Sequence, residues 1–418
     1  MEDLHKTTKQ NTTVKKLKIL QISTWRTPCG IAGYTENLVN QLIKFEEFAI
    51  DVYRIDKQKF SFTNPIAENE INKIINESKN ANIVHFQHEF GFFGANYNLS
   101  NENFIKLLRK LRSNKKIIFI TFHTLPLPTP SWAHARGIRS LFSIFIAKLL
   151  RNNKWPKLAR EISKHTAYRV IAHNERSASI LCNSGIAWDK INIVPLGLTS
   201  PTESNTGKLN SAKIALGYKK DDILIGLFGF VADYKGVLQA TESLKFLPQN
   251  FKLVFVGGRH PDNKTDNSID NILKLSSKLN LLETNRAKNS RNRIEISGWL
   301  PKESLDLYKS ACDIIIAPYK EVNLSSSAAL AMALTSGRPV IASTIDAFRD
   351  INTEYECMLL IGENSPRELA WAIEKLISDD DLSKLLVKNA KEYAEKYSLS
   401  NISNIYRSLY LKYSGILL

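Results

Sequence analysis

The chain has 418 residues, more than one hydrophobic core usually supports, so two domains are expected. Its 57 Lys and Arg against 41 Asp and Glu give a net charge of +16, which favours anionic partners such as nucleotides, nucleic acid or acidic lipid, although a Lys-, Asn- and Ile-rich source composition would give the same sign. The sequence has no run of about 18 uncharged apolar residues and its start, MEDLHKTTKQNTTVKK, has no signal-peptide core, so the reading is of a cytoplasmic chain without a membrane span.

Cys29, Cys182, Cys312 and Cys357 lie far apart with no C-x-x-C pair, which excludes a zinc knuckle or a disulfide framework. In chain order, short β-branched runs each precede a turn signal and a helix-like segment: LKILQIS (17–23), NIVHFQ (82–87), KIIFITF (116–122) and YRVIAH (168–173). This alternation predicts a parallel sheet covered by helices on both faces. After INIVPLGL (191–198) the polar stretch TSPTESNTGKLNSA reads as a linker. The pattern resumes with DILIGLFGF (222–230), FKLVFVGG (251–258), RIEISGW (293–299), CDIIIAP (312–317) and RPVIAS (338–343). The expected fold class is therefore α/β, with Rossmann-like domains over 1–198 and 199–390. Open sheets of this kind bind ligands beyond the carboxyl ends of their strands, so function belongs to the loops there.

Three such loops stand out. In STWRTPCGIAGYTENLVNQL, Gly30 and Gly33 separate a strand from an amphipathic helix, and small residues there let an anion approach free N–H groups; taken alone, an isolated Gly-x-x-Gly reads better as a tight structural turn. In FGFVADYKGVLQA, Lys235 beside Gly236 can meet a phosphate as a point charge. In IIIAPYKEVNLSSSAALAMALTSGRPVIAS, Glu321 precedes Ser325, Ser326 and Ser327 at a helix start, a carboxylate for sugar or ribose hydroxyls followed by a phosphate cradle.

Taken in order, CGIAGYT, QHEFGFFG, FHTLP, FGFVADYKG and the PYKEVNLSSSAALAMALTSGRPVIAS block resemble glycosyltransferase family 4, the retaining nucleotide-sugar enzymes of GT-B fold, over most of residues 17–390. The resemblance implies two facing Rossmann-like domains with a central cleft, the first binding the acceptor and the second the nucleotide sugar, UDP or GDP, with no metal or other cofactor. It implies that C-terminal helices, here 391–418, cross back onto the first domain. Carried over by motif, Gly30 and its neighbour Ile31 abut the donor diphosphate, and His123 lines the sugar pocket. Lys235 is the lysine of the R-x-x-x-x-K-G signature, with Gly229 and Gly258 at strand ends in the same donor site. Two departures matter: Phe230 occupies the arginine position, and the second glutamate of the E-x7-E motif falls on Ala329, Leu330 or Met332.

The stretch HFQHEFGFFGANY admits three readings. Metal ligation by His85, His88 and Glu89 is disfavoured because His85 and His88 point to opposite faces of a strand. His85 reads as strand packing, whereas His88 and Glu89, expected just past the strand end, read as hydrogen-bonding partners of acceptor hydroxyls. Glycosidase-style acid–base chemistry would need a second carboxylate, for which Glu321 is the candidate. Without a metal, the leaving diphosphate must be stabilised by cations and N–H dipoles, a task for Lys235, Ser325–Ser327 and the Gly30 loop. Front-face attack, implied by the family, gives retention without a protein base.

Residues 134–160 carry seven basic side chains and no acidic one, with an apolar face from Ile138 to Leu150. The segment suits an anionic membrane surface or, equally, docking on the first sheet. The expected activity is hexosyl transfer to a glycan or lipid-linked acceptor in envelope polysaccharide or glycolipid synthesis. The rivals are transfer to DNA bases, a glycan phosphorylase and a catalytically silent nucleotide-sugar binder.

Overall fold

The computed structural model describes residues 16–27, 29–61, 65–126, 154–202, 206–259, 266–282, 292–320 and 326–415. The first sheet comprises β1 (Leu17–Ser23), β2 (Phe48–Arg54), β3 (Ile83–His88), β4 (Ile117–Phe122), β5 (Tyr168–Ala172) and β6 (Ile191–Ile193), in the order β2-β1-β3-β4-β5-β6. The second comprises β7 (Ile223–Phe228), β8 (Phe251–Val256), β9 (Ile294–Ile296), β10 (Ile314–Ala317), β11 (Val340–Ser343) and β12 (Leu359–Ile361), in the order β12-β11-β10-β7-β8-β9. All ten pairings are parallel. Helices cover both faces, so the strands read as near-continuous apolar runs such as IIFITF.

Strand order reverses beside β1 in one sheet and beside β7 in the other. Loops leaving strands on either side of such a reversal splay apart and open a crevice. Those loops carry Gly30 after β1, Glu89 after β3, Lys235 after β7 and Ser326 after β10.

Two segments cross between the sheets and pair with each other. Leu198 donates its N–H to the Tyr397 carbonyl at 2.9 Å, and Leu399 donates back to the Leu198 carbonyl at 2.8 Å. Gly197 lets the two segments approach closely, a Cβ there lying 2.7 Å from Cδ2 of Leu399, whose side chain would have to turn aside. The last helix, Leu399–Ser414, then lies on the first sheet, burying Ile402, Tyr406, Tyr410 and Leu411 against Leu17, Ile19, Tyr34 and Phe119. Each such fully buried large side chain contributes about 2 kcal/mol of apolar transfer. Among the described residues, no helix is long and apolar enough to cross a membrane. Most of the basic segment 134–160 lies outside the described residues; its end enters the helix Trp155–Lys164.

Candidate active site

The second-sheet wall of the cleft is shaped by close backbone approaches. Gly257, at φ +152°, brings its Cα so near the Gly229 carbonyl that a Cβ would sit 2.1 Å from that oxygen. Gly236, at φ +69°, leaves 1.8 Å between a Cβ and the Pro318 carbonyl oxygen, which only glycine tolerates. The turn is stitched to the β10 loop by Lys320 N–H donating to the Tyr234 carbonyl at 2.8 Å.

Lys235 is held inside this turn, 4% exposed. Its Nζ donates to the Phe228 carbonyl at 3.0 Å and stands 5.4 Å from the centre of the Tyr319 ring. Among the described residues, no carboxylate pairs with it. Burial depresses its pKa below the ordinary lysine value. An ammonium group has three donors, and among the described residues one carbonyl and one ring face share them, an arrangement whose cost in free energy an anion would offset.

Gly30, Gly229 and Lys235 are brought together around the first turn of the helix Ala328–Leu334. A Cβ on Gly30 would lie 3.6 Å from that of Ala328; one on Gly229 would lie 3.7 Å from that of Ala329 and 2.5 Å from the Lys235 Nζ. Glycines from both sheets and the buried ammonium therefore converge on two alanines. Ile31 is half-buried and packs against the first-sheet core. Gly258 lies under Trp299, 3.1 Å from ring atoms to a Cβ position, and Trp299 meets Phe230 edge to face at 5.0 Å. The arginine position is thus an aromatic corner with no charge to offer a phosphate. Of the serines, Ser327 accepts the Leu330 N–H at 3.2 Å and caps the helix, and Ser326 lines the crevice; Glu321 and Ser325 lie outside the described residues. Of the candidate positions for a second glutamate, Leu330 is core and Met332 packs on core.

The opposite wall is a hydrogen-bonded chain. His123 is half-buried, its Nε2 2.8 Å from the Gln87 Oε1. Gln87 Nε2 donates to the Gln21 side-chain Oε1 at 3.3 Å, and Gln21 Nε2 donates to the Tyr410 hydroxyl at 3.0 Å. His85 closes the chain with Nδ1 2.6 Å from the Tyr410 oxygen and Nε2 2.8 Å from the Thr121 Oγ1. Burial holds His123 well below the ordinary histidine pKa and His85 at about 3, so both rings are neutral near pH 7.

His88 is not brought to the cleft. It is fully buried, and Phe90, Phe93, Phe104 and Phe122 enclose its ring at centroid distances of 4.6 to 5.4 Å. Among the described residues neither ring nitrogen has a hydrogen-bond partner, and burial pushes the pKa down to about 3. The reason is the strand end: β3 runs through His88, so the two-residue alternation sends Gln87 to the face of His85 and His88 to the other. Glu89, the first residue past the strand, accepts the Thr124 hydroxyl; burial raises its pKa, opposed by that bond and by the Phe90 and Gly91 N–H groups.

His173, at the end of β5, was not singled out by any sequence motif. Its ring lies 5.2 Å from that of His123 and 5.6 Å from that of Tyr34. It borders an interdomain crevice of about 60 Å³ with Asn174, Leu196, Ser326, Ser327 and Phe348. Among the described residues, no group of three His, Cys, Asp or Glu side chains could hold a metal ion.

Two facing parallel α/β sheets with a cleft between their strand ends define the GT-B class. HepE of Anabaena, solved with UDP and glucose, superposes with a TM-score of 0.69 at 13% identity, covering 94% of this chain and 99% of that one. Residues 211–393 match the family Glycosyl transferases group 1. Similar curated proteins include an uncharacterized glycosyltransferase of Methanocaldococcus jannaschii, 27% identical over 182 residues, or 43% of this chain and 46% of the relative. A capsular polysaccharide biosynthesis glycosyltransferase of Staphylococcus aureus is 22% identical over 261 residues, 60% of this chain and 64% of the relative. The chain thus spans less than two thirds of the length of either relative, 46% and 64%.

Proposed function

We propose that the chain is a retaining glycosyltransferase that moves a hexose from a UDP- or GDP-sugar to a glycan or lipid-linked acceptor in cell-envelope polysaccharide or glycolipid synthesis. The observation that carries the reading is the buried Lys235 ammonium, one carbonyl its hydrogen-bond acceptor, set where glycines of both sheets meet. A diphosphate fits that place: the glycines give its oxygens room, and the cation supplies the missing charge. Charge that develops on the leaving diphosphate is then stabilised by a group already in position, the arrangement worth most in a site that excludes water.

His123 borders the sugar as a neutral ring whose Nε2 side is fixed by Gln87, and Glu89 serves acceptor hydroxyls from the loop after β3. With the leaving phosphate oxygen taking the acceptor's proton, front-face attack needs no protein base. The HepE complex with UDP and glucose, a neighbour in fold, supports a nucleotide-sugar donor; the S. aureus relative supports an envelope polysaccharide product. The basic stretch 134–160 would hold the protein at the inner face of an anionic membrane.

A thermal-shift screen of UDP-, GDP- and ADP-sugars tests the reading. Stabilisation by one base series, together with donor hydrolysis in the absence of acceptor, is expected. Failure of every nucleotide sugar to stabilise the chain would remove the enzyme reading altogether.

A further inference from the structure

His173 presents an unresolved hydrogen-bond account. Its Nδ1 stands 3.0 Å from the Val194 carbonyl oxygen. A carbonyl can only accept, so Nδ1 carries the proton and Nε2 carries a lone pair. The residue is 4% exposed, and Nε2 has no partner among the described residues. Buried polar atoms are rarely left so, and each costs desolvation free energy that folding alone does not return. Burial also holds the ring at a pKa of about 4, which keeps the lone pair available at neutral pH.

The ring borders the crevice whose other wall includes Ser326 and Ser327, the two residues before Ala328. Ala328 is the point at which Gly30 meets the donor-site helix. A sugar joined to a diphosphate at Gly30, Gly229 and Lys235 therefore has this crevice beside it, with the His123 ring 5.2 Å from that of His173. At about 60 Å³ the crevice has room for a few waters' worth of atoms, enough to take one edge of a sugar.

We propose that Nε2 of His173 accepts a hydrogen bond from a hydroxyl of the donor sugar, and that the crevice selects donors carrying a hydroxyl on that edge. The inference rests on the nucleotide-sugar reading above and adds to it a specificity-determining residue.

Two substitutions separate this role from a structural one. In His173→Asn the side-chain amide can keep the bond to Val194 while Nε2 is removed; in His173→Gln an amide oxygen reaches towards the Nε2 position. The full chain and both variants are titrated calorimetrically with UDP, GDP, UDP-glucose, UDP-galactose and GDP-mannose, and their melting temperatures are recorded. Expected for His173→Asn is a melting temperature within about 2 °C of the unmodified chain. Its affinity for the nucleoside diphosphates should stay within about twofold, and that for the preferred sugar nucleotide should fall about tenfold, with His173→Gln recovering most of the loss. Unchanged sugar-nucleotide affinity in His173→Asn overturns the proposal, as does an equal loss for the nucleoside diphosphate, which would mark a structural effect. Failure of the unmodified chain to bind any nucleotide overturns the donor reading itself, and this inference with it.

Discussion

On the first-sheet wall of the cleft, Gln21, His85, Gln87, Thr121 and His123 satisfy one another and the Tyr410 hydroxyl of the last helix, so this wall is complete without a ligand. On the second-sheet wall the strand ends carry glycines, and the buried Lys235 ammonium has, among the described residues, only the Phe228 carbonyl as its hydrogen-bond acceptor. The difference separates preorganisation from recognition: a satisfied polar network holds its members in place, whereas an unsatisfied charge stores affinity for whatever neutralises it. His173 belongs to the first wall by position and to the second by chemistry, since one of its nitrogens is still without a partner.

The largest way to break the comparison is acid. His85, His88 and His173 have folded pKa values of about 3, 3 and 4, below the ordinary 6.5. Below pH 6.5 the unfolded chain binds protons that the folded chain refuses, so their contribution is fully present above that pH and is lost as pH falls towards 4. At about 1.4 kcal/mol per pH unit for each group, the three together approach a slope of roughly 4 kcal/mol per unit. Chemical denaturation between pH 7 and 5 should show this loss; a flat profile would mean the first wall is not sealed.

Next is Lys235→Ala, expected to lower sugar transfer or donor hydrolysis by about 10²- to 10³-fold. Removal of a buried, poorly paired cation should leave the melting temperature unchanged or raised. A large drop in stability would instead make Lys235 a structural residue. Gly236→Ala should destabilise the second domain by at least about 2 kcal/mol, because its Cβ meets the Pro318 carbonyl oxygen and its φ is positive. The smallest effect expected is for His88→Phe: stability at pH 7 within about 1 kcal/mol of the unmodified chain and unaltered activity, because the cage already accommodates a ring and both nitrogens lack partners. Loss of acceptor affinity in that variant would place His88 in the cleft after all.

Legibility followed burial. Ten of the strands lie in or near stretches that the apolar runs mark, but β2 and β12 were missed, and both are sheet edges. FAIDVYR exposes Asp51 and Arg54 and so lacks the continuous apolar run of a strand covered on both faces, whereas LLI matches the edge strands INI and IEI, which were marked, in length and burial, and nothing in its packing explains the difference. Of the expected site residues, Gly30, Gly229 and Lys235 lie together in the structure, and in the sequence each is a glycine or a lysine placed just after a strand. His88 was expected in the loop past the strand, but β3 runs one residue further and keeps it on the strand, facing the aromatic core. His173 was invisible because what distinguishes it is a single missing partner, a property of packing that no local pattern encodes.

The central claim is that the Lys235 pocket is completed by the diphosphate of a nucleotide. Its most direct test is calorimetric titration of UDP and GDP into the unmodified chain and into Lys235→Ala. The account predicts binding of one of them that weakens at least about tenfold on loss of the ammonium, the scale of a charge-assisted hydrogen bond. Equal affinity in the two proteins would contradict it.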